Sequence, residues 1–197
     1  GVVGVICGGG QGYLGEMVLP GGRRGSNMTE RPIIFSGPMI RAILDSTKTQ
    51  TRRVIEPQPE ILTIADMSGP IFKLKYLPGD RLWVKETIWR NGGYVATEPC
   101  NFPNEGKIPS IYMPRWTSRI TLEVTDVRVE QVQDISTEDA IAEGCQQTEE
   151  AINTYTKNVH PPVANFSRLW DSINGKRPGC SWAANPWVWV VSFQKLN

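Results

Sequence analysis

The residues of this chain that could run a reaction are few, and their counts narrow the chemistry. There is one histidine, His160, directly before Pro161 and Pro162. A HExxH zinc site needs two histidines and is excluded. A Ser-His-Asp triad would have only His160 to use. Any proton chemistry therefore falls to Lys, Asp, Glu, Thr or Tyr. The four cysteines, Cys7, Cys100, Cys145 and Cys180, form no CxxC pair and have no ligand cluster around them. Neither a metal site nor a disulfide framework is expected, no cofactor is implied, and a reducing cytoplasm fits. Gly8-Gly9-Gly10-Gln11-Gly12 lacks the Lys-Ser/Thr step of a phosphate loop. Cys145, two residues after Glu143, reads as a buried, inert thiol rather than a nucleophile.

A second kind of chemistry is recognition. Trp83, Trp89 and Trp116 stand among Arg81, Lys85, Glu86, Arg90, Arg115 and Arg119. Aromatic faces stack bases, each contributing about 1–3 kcal/mol, and Arg and Lys hold phosphates. Arg52, Arg53, Arg115 and Arg119 offer a local basic patch, although 21 basic and 20 acidic residues leave a net charge of +1. That balance excludes a histone-like polycation. The plain alternative for each Trp is a place in the core.

These residues need a frame. A chain of 197 residues, 40% hydrophobic and 21% charged, has the size and composition of one globular domain with a core of its own. Residues 1–27 hold 10 of the 19 glycines and are expected to be a flexible leader outside the fold, with Met28 resembling a natural start. The domain then spans 28–197. No 18-residue apolar run predicts a membrane helix.

Residues 31–35 read as a first strand. Ser36-Gly37-Pro38 opens a helix carrying Ile40, Ile43 and Leu44, and 48–55 alternates like a strand. Residues 56–70 read as loop. Pro78-Gly79-Asp80 turns into a strand over 81–86, and 91–113 reads as an inserted loop. The longest strand signal covers 119–132, where the apolar phase slips by one residue and predicts a bulge near Thr125-Asp126. Ser136 and Asp139 resemble a capping box for a short helix that Gly144 ends. A further helix is predicted over 163–173, with Phe166, Leu169, Trp170 and Ile173 on one stripe. The run 187–193 is apolar on both faces, as in a central or barrel strand. Together these suggest an α+β small mixed barrel.

Three motifs occur in order: Lys48-Thr49-Gln50-Thr51-Arg52-Arg53 after a short helix, Gly79-Asp80-Arg81-Leu82-Trp83-Val84-Lys85-Glu86, and Ala140-Ile141-Ala142-Glu143-Gly144. In this combination the chain resembles the ASCH domain, and more closely the prophage-encoded ASCH proteins, over about 30–195. The resemblance implies a PUA-like mixed β-barrel with flanking short helices and a groove for a nucleoside, RNA or DNA. It also implies a phage or bacterial context, and a monomer is favoured. Some small bacterial ASCH proteins are amidohydrolases that deacetylate N4-acetylcytidine. Their catalytic Lys, the Thr three residues later and a helical Glu correspond to Lys48, Thr51 and Glu143.

On a straight strand, residues three apart face opposite ways, so Lys48 and Thr51 meet only where the backbone turns between them. If they meet, a desolvated Lys48 could take the proton of Thr51, whose hydroxyl attacks the acyl carbonyl. Alternatively the pair orients a water molecule. Glu143 could hold the exocyclic nitrogen or protonate the leaving amine. The rivals are a noncatalytic RNA- or DNA-binding module, using Arg52, Arg53, Trp83, Lys85, Glu86, Trp89, Arg115, Trp116 and Arg119, and a metal-independent ribonuclease.

Overall fold

A computed structural model describes residues 3–4, 16–17, 29–58, 75–91, 94–96, 106–145 and 161–196. Most of the expected leader, the greater part of 56–70, residues 97–105, Cys7, Cys100 and His160 lie outside the described residues. Strands β1 (Val3–Gly4) and β2 (Glu16–Met17) pair antiparallel with each other.

The main sheet has five strands. They are β3 (Glu30–Ile34), β4 (Gln50–Val54), β5 (Arg81–Lys85), β9 (Thr121–Gln131) and β10 (Trp187–Leu196). Their order is β3-β5-β9-β10-β4. Only β3 and β5 run parallel; the other pairs are antiparallel. Helix α1 (Gly37–Leu44) follows β3, with Pro38 in its first turn. Helices α2 (Thr137–Ala142) and α3 (Pro161–Asn174) follow β9. The class is α+β, as expected.

The first and last strands in the order also touch. The Arg53 Nη2 donates to the Ile34 carbonyl at 2.7 Å, so a side chain of β4 reaches β3. One face of the sheet gathers Ile33, Leu82, Val84, Leu122, Trp189, Val191 and Phe193, with Ile40 and Ile43 of α1. The opposite face carries Val188 and Val190, packed under Phe166 and Trp170 of α3 and Ala140 of α2. Strand β10 thus buries both of its faces, which is why its sequence is apolar on both.

The bulge falls where the phase slip placed it. Asp126 pairs with Ser192 and Val124 with Phe193, leaving Thr125 as the extra residue. Three details differ from expectation. Strand β4 begins at Gln50, so Lys48 and Thr49 precede it. In α3, Ile173 is 52% exposed while Asn174 is buried, because Trp170 and Phe166 set the inward direction. Part of the predicted loop over 91–113 belongs to a second sheet of β7 (Tyr94–Ala96), β6 (Ile88–Asn91) and β8 (Lys107–Ile108). Strands of two to four residues leave too short an alternation to read.

Candidate active site at the end of α2

Short helices leave orphan carbonyls at their C-termini, and here these build the site. Helix α2 is capped at its start by the Ser136 hydroxyl, which accepts from the Asp139 N–H at 3.1 Å. It ends at Glu143, followed by Gly144 at φ +87°. The Gly144 N–H bonds the Ile141 carbonyl at 2.8 Å and the Cys145 N–H bonds the Ala140 carbonyl at 3.0 Å. This is a Schellman close, which favours glycine at the left-handed position. A Cβ on Gly144 would also stand 3.4 Å from Ala42 Cβ and 3.5 Å from Lys48 Cβ.

The segment between α1 and β4 caps this helix end. The Thr47 and Lys48 N–H groups return to the Ala42 carbonyl, closing α1. The Thr49 N–H then donates to Ala142 at 2.9 Å. The Lys48 ammonium donates to the Glu143 carbonyl at 2.8 Å, to Glu143 Oε2 at 2.6 Å and to the Gln50 carbonyl at 2.8 Å. All three of its protons are engaged, and its side chain is 0% exposed. A cation here also faces the negative end of the helix.

The second carboxylate oxygen of Glu143 faces Arg52 Nη1 at 3.3 Å. Arg52 uses all five N–H donors. Nε and Nη2 reach Glu130 Oε1 at 2.9 and 2.5 Å, Nη2 reaches Asp139 at 2.9 Å, and Nη1 also reaches Gln50 Oε1 at 2.8 Å. Its guanidinium lies over the Phe166 ring at 5.6 Å. Arg128 adds bonds to Glu130 and Asp139. Strand register explains the grouping. Arg52 pairs with Val190 and Val190 with Arg128, while Val188 pairs with Glu130, so these side chains share the face under α2. Three cations and three carboxylates balance.

The structure brings Lys48 and Glu143 together across 95 positions of sequence. Thr51 is close by. The carbonyl that Lys48 holds belongs to the peptide joining Gln50 to Thr51, and the chain turns before β4 rather than running straight. Thr51 itself is buried, pairs with Val191 and faces the same side as Arg53.

The recognition residues divide between three places. Arg52 is enclosed in the network just described. Arg53 lies over the Phe35 ring at 5.2 Å. The remainder sit on or beside β5 and β6. Trp83 has Lys85 at 5.4 Å and Arg115 at 5.8 Å from its ring. Lys85 also donates to the Ile111 carbonyl. Glu86 is buried and accepts two bonds from Arg119 at 3.0 and 3.1 Å. Trp89 is partly buried in the small sheet, opposite Ala96 and Lys107. Trp116 is 76% exposed. Sequence reading missed Gln50, Arg128, Glu130 and Asp139 as site members. For Arg128 and Glu130 the signal was the alternation Asp126, Arg128, Glu130 along a strand whose other face is apolar.

Two titrations follow. Burial and the nearby Glu143 charge push the Cys145 thiol up to about 11, against a partial pull from Lys48, so it is an inert neighbour, as its sequence context suggests. Burial alone would raise the Asp139 carboxyl, but attraction and hydrogen bonds from Arg52 and Arg128 outweigh it and hold it below its ordinary 3.8. A depressed carboxyl stabilises the fold fully above its unfolded value, and that contribution is lost as pH falls through the lower folded value. Stability is therefore expected to drop below pH 3.8, and Asp139→Asn to flatten that limb. Urea midpoints measured between about pH 6 and pH 2 check it; an unchanged slope in the variant would refute it.

Beside this site, Pro38, Arg41, Asp45, Thr47, Gly144, Cys145 and Asn165 line an open cleft of about 430 Å³. No helix among the described residues is long and apolar enough to cross a membrane.

No family model and no curated protein matches the chain. Two solved structures are similar to it. One is an ASCH domain from Lactobacillus crispatus, at 12% identity and TM-score 0.39, covering 85% of this chain and 79% of that one. The other is protein EF3133 from Enterococcus faecalis, of family DUF984, at 10% identity and TM-score 0.42, covering 86% and 77%. The α+β class itself follows from the strand order and helices above.

Proposed function

We propose that the chain recognises a nucleobase beside Lys48, Thr51 and Glu143, and that its reaction is hydrolytic removal of an acyl group from N4-acylated cytidine. The observation that supports this is the buried 2.6 Å contact between Lys48 and Glu143, with the Lys48 ammonium held on the peptide bond that leads into Thr51.

In this reading the contact supports a proton route. Lys48 passes a proton to Glu143 along their hydrogen bond and becomes a neutral amine. That amine takes the Thr51 proton as the hydroxyl oxygen attacks the acyl carbonyl. The protonated Glu143 gives its proton to N4 as the carbon–nitrogen bond breaks, releasing cytidine. Water then hydrolyses the Thr51 ester. Incubation with N4-acetylcytidine, followed by chromatography, is expected to yield cytidine. Thr51→Val, which keeps the strand and removes the nucleophile, is expected to lower kcat on the order of 10³-fold or more. A silent wild type, or a Thr51→Val that still turns over, would sink the proposal.

A second reading, a noncatalytic nucleic-acid module, has its own support. Trp116 and Tyr112 are 76% and 74% exposed on consecutive tight turns that start after Pro109 and Pro114. Lys85 and Arg115 lie beside them at Trp83. This reading expects a single-stranded oligonucleotide to quench tryptophan fluorescence and to bind less tightly as salt rises. Trp116→Ala is expected to weaken that binding about 5-fold or more, since one stacked base contributes about 1–3 kcal/mol; equal affinity in wild type and variant would remove it.

A further inference from the structure

The fold treats two adjacent arginines in opposite ways. Arg52 has every N–H bonded and three carboxylates around it. Arg53, on the other face of β4, forms no ion pair among the described residues. It donates from Nη2 to the Ile34 carbonyl at 2.7 Å, stacks over Phe35, and leaves Nε buried with no hydrogen-bond partner. Removal from water pulls its guanidinium below its ordinary range, and the charges of Tyr76 and Glu143 only partly counter this. Arg53 as a whole is half-buried, and a guanidinium does not shed its proton in a protein, so the unmet demand lies at its buried Nε–H, which has no acceptor. A cation–π contact of this kind offsets only part of that demand.

The position of that demand is informative. Arg53 is two residues from Thr51, so both side chains leave β4 on the same face. The Phe35 ring that carries Arg53 at 5.2 Å also has the Lys48 ammonium at 5.8 Å. Lys48 and Arg53 therefore border a single aromatic ring, with Thr51 on the same face of β4 as Arg53, and of the two cations only Arg53 keeps a buried donor in reserve.

We propose that Arg53 is the receptor for the ligand's acyl oxygen, its Nε–H donating to the oxyanion that forms on attack. This rests on the acyl-hydrolase reading above. As the bond from Thr51 Oγ to the carbonyl carbon forms, the carbonyl π pair moves onto oxygen, where Arg53 meets it. On collapse the pair returns, the C=O re-forms, and the bond to N4 breaks with its electron pair leaving on nitrogen. A donor aimed at developing charge acts on the transition state more than on the bound substrate.

The test is Arg53→Gln, with Arg53→Lys measured beside it and both checked by thermal melting. Arg53→Gln is expected to lower kcat about 100-fold or more while KM stays within a few-fold. Guanidinium added to Arg53→Gly is expected to restore part of the rate, which a purely structural arginine would not allow. If Arg53→Gln melts well below wild type, Arg53→Lys decides: an equal fall in kcat at a wild-type melting temperature upholds the role. A retained kcat in a folded variant overturns it. Acetate, the product carrying the same oxygens, supplies a readout independent of turnover. Its calorimetric Kd is expected to rise about 10-fold or more in Arg53→Gln and to change little in Thr51→Val. Should the wild type release no cytidine, the hydrolase reading has failed. The acetate titration then stands alone: binding that depends on Arg53 upholds an oxygen receptor, and absent or Arg53-independent binding overturns it.

Discussion

Arg52→Met is expected to cost about 3–5 kcal/mol of folding stability, the range for removing one partner from a buried ionic cluster. The reason lies in the count of acceptors. The guanidinium satisfies Glu130, Asp139, Glu143 and the Gln50 amide oxygen together. Without it, three carboxylates face only Lys48 and Arg128, and Glu143 keeps the ammonium alone. Methionine refills the space over Phe166, so the loss is electrostatic rather than a cavity. Against a typical total of about 5–15 kcal/mol, such a loss leaves a marginal fold. Urea denaturation at neutral pH measures it directly, and a change under about 1 kcal/mol would mean that water enters the cluster and replaces the arginine.

The same cluster explains why the sequence revealed the frame more readily than the site. Periodicity located β9 and its bulge because Ile120, Leu122 and Val124, then Val127 and Val129, change phase at one residue. Capping chemistry located α2, since Ser136 and Gly144 act through local backbone bonds. The apolar run in β10 announced a strand buried on both faces. Arg128 and Glu130 were not legible in this way. Charged residues alternating on a strand look like a solvated face, and only α2 and α3 folding over β9 turns that face inward. Arg52 and Arg53 posed the reverse difficulty. Adjacent in sequence, they read as one basic patch, yet alternation sends them to opposite faces, one into a saturated network and one against Phe35. Trp116 was open between core and surface, and nothing local decided it; its exposure depends on how the turns at Pro109 and Pro114 seat against β5.

This division also bears on function. The saturated face under α2 fixes Glu143 from two sides, with Arg52 on one oxygen and Lys48 on the other. A carboxylate so held is already oriented before any ligand arrives, and positioning ahead of reaction is where binding sites gain their rate. In the proposed reaction the network would serve as the rigid wall of the site, and the ligand would be met by Thr51 and Arg53 on the Phe35 side.

Lys48→Met is expected to destabilise the fold by about 3–5 kcal/mol as well, which makes it a poor test of catalysis by itself. Its ammonium is fully enclosed and closes three contacts at once. Its loss leaves the Glu143 carboxylate on Arg52 at 3.3 Å, and it strips a partner from the carbonyls of Glu143 and Gln50. Pairing the variant with Glu143→Gln separates these effects. The neutral glutamine no longer needs a cation, so the double variant is expected to be more stable than the two single losses added together, by about 1–3 kcal/mol. Additive losses would show that the ion pair itself contributes little and that Lys48 acts mainly as a cap on the end of α2. In either case a rate lost in Lys48→Met belongs to chemistry only if the variant is folded at the assay temperature. The functional weight consequently falls on Thr51→Val, which leaves the six charges untouched and removes only the oxygen that attacks.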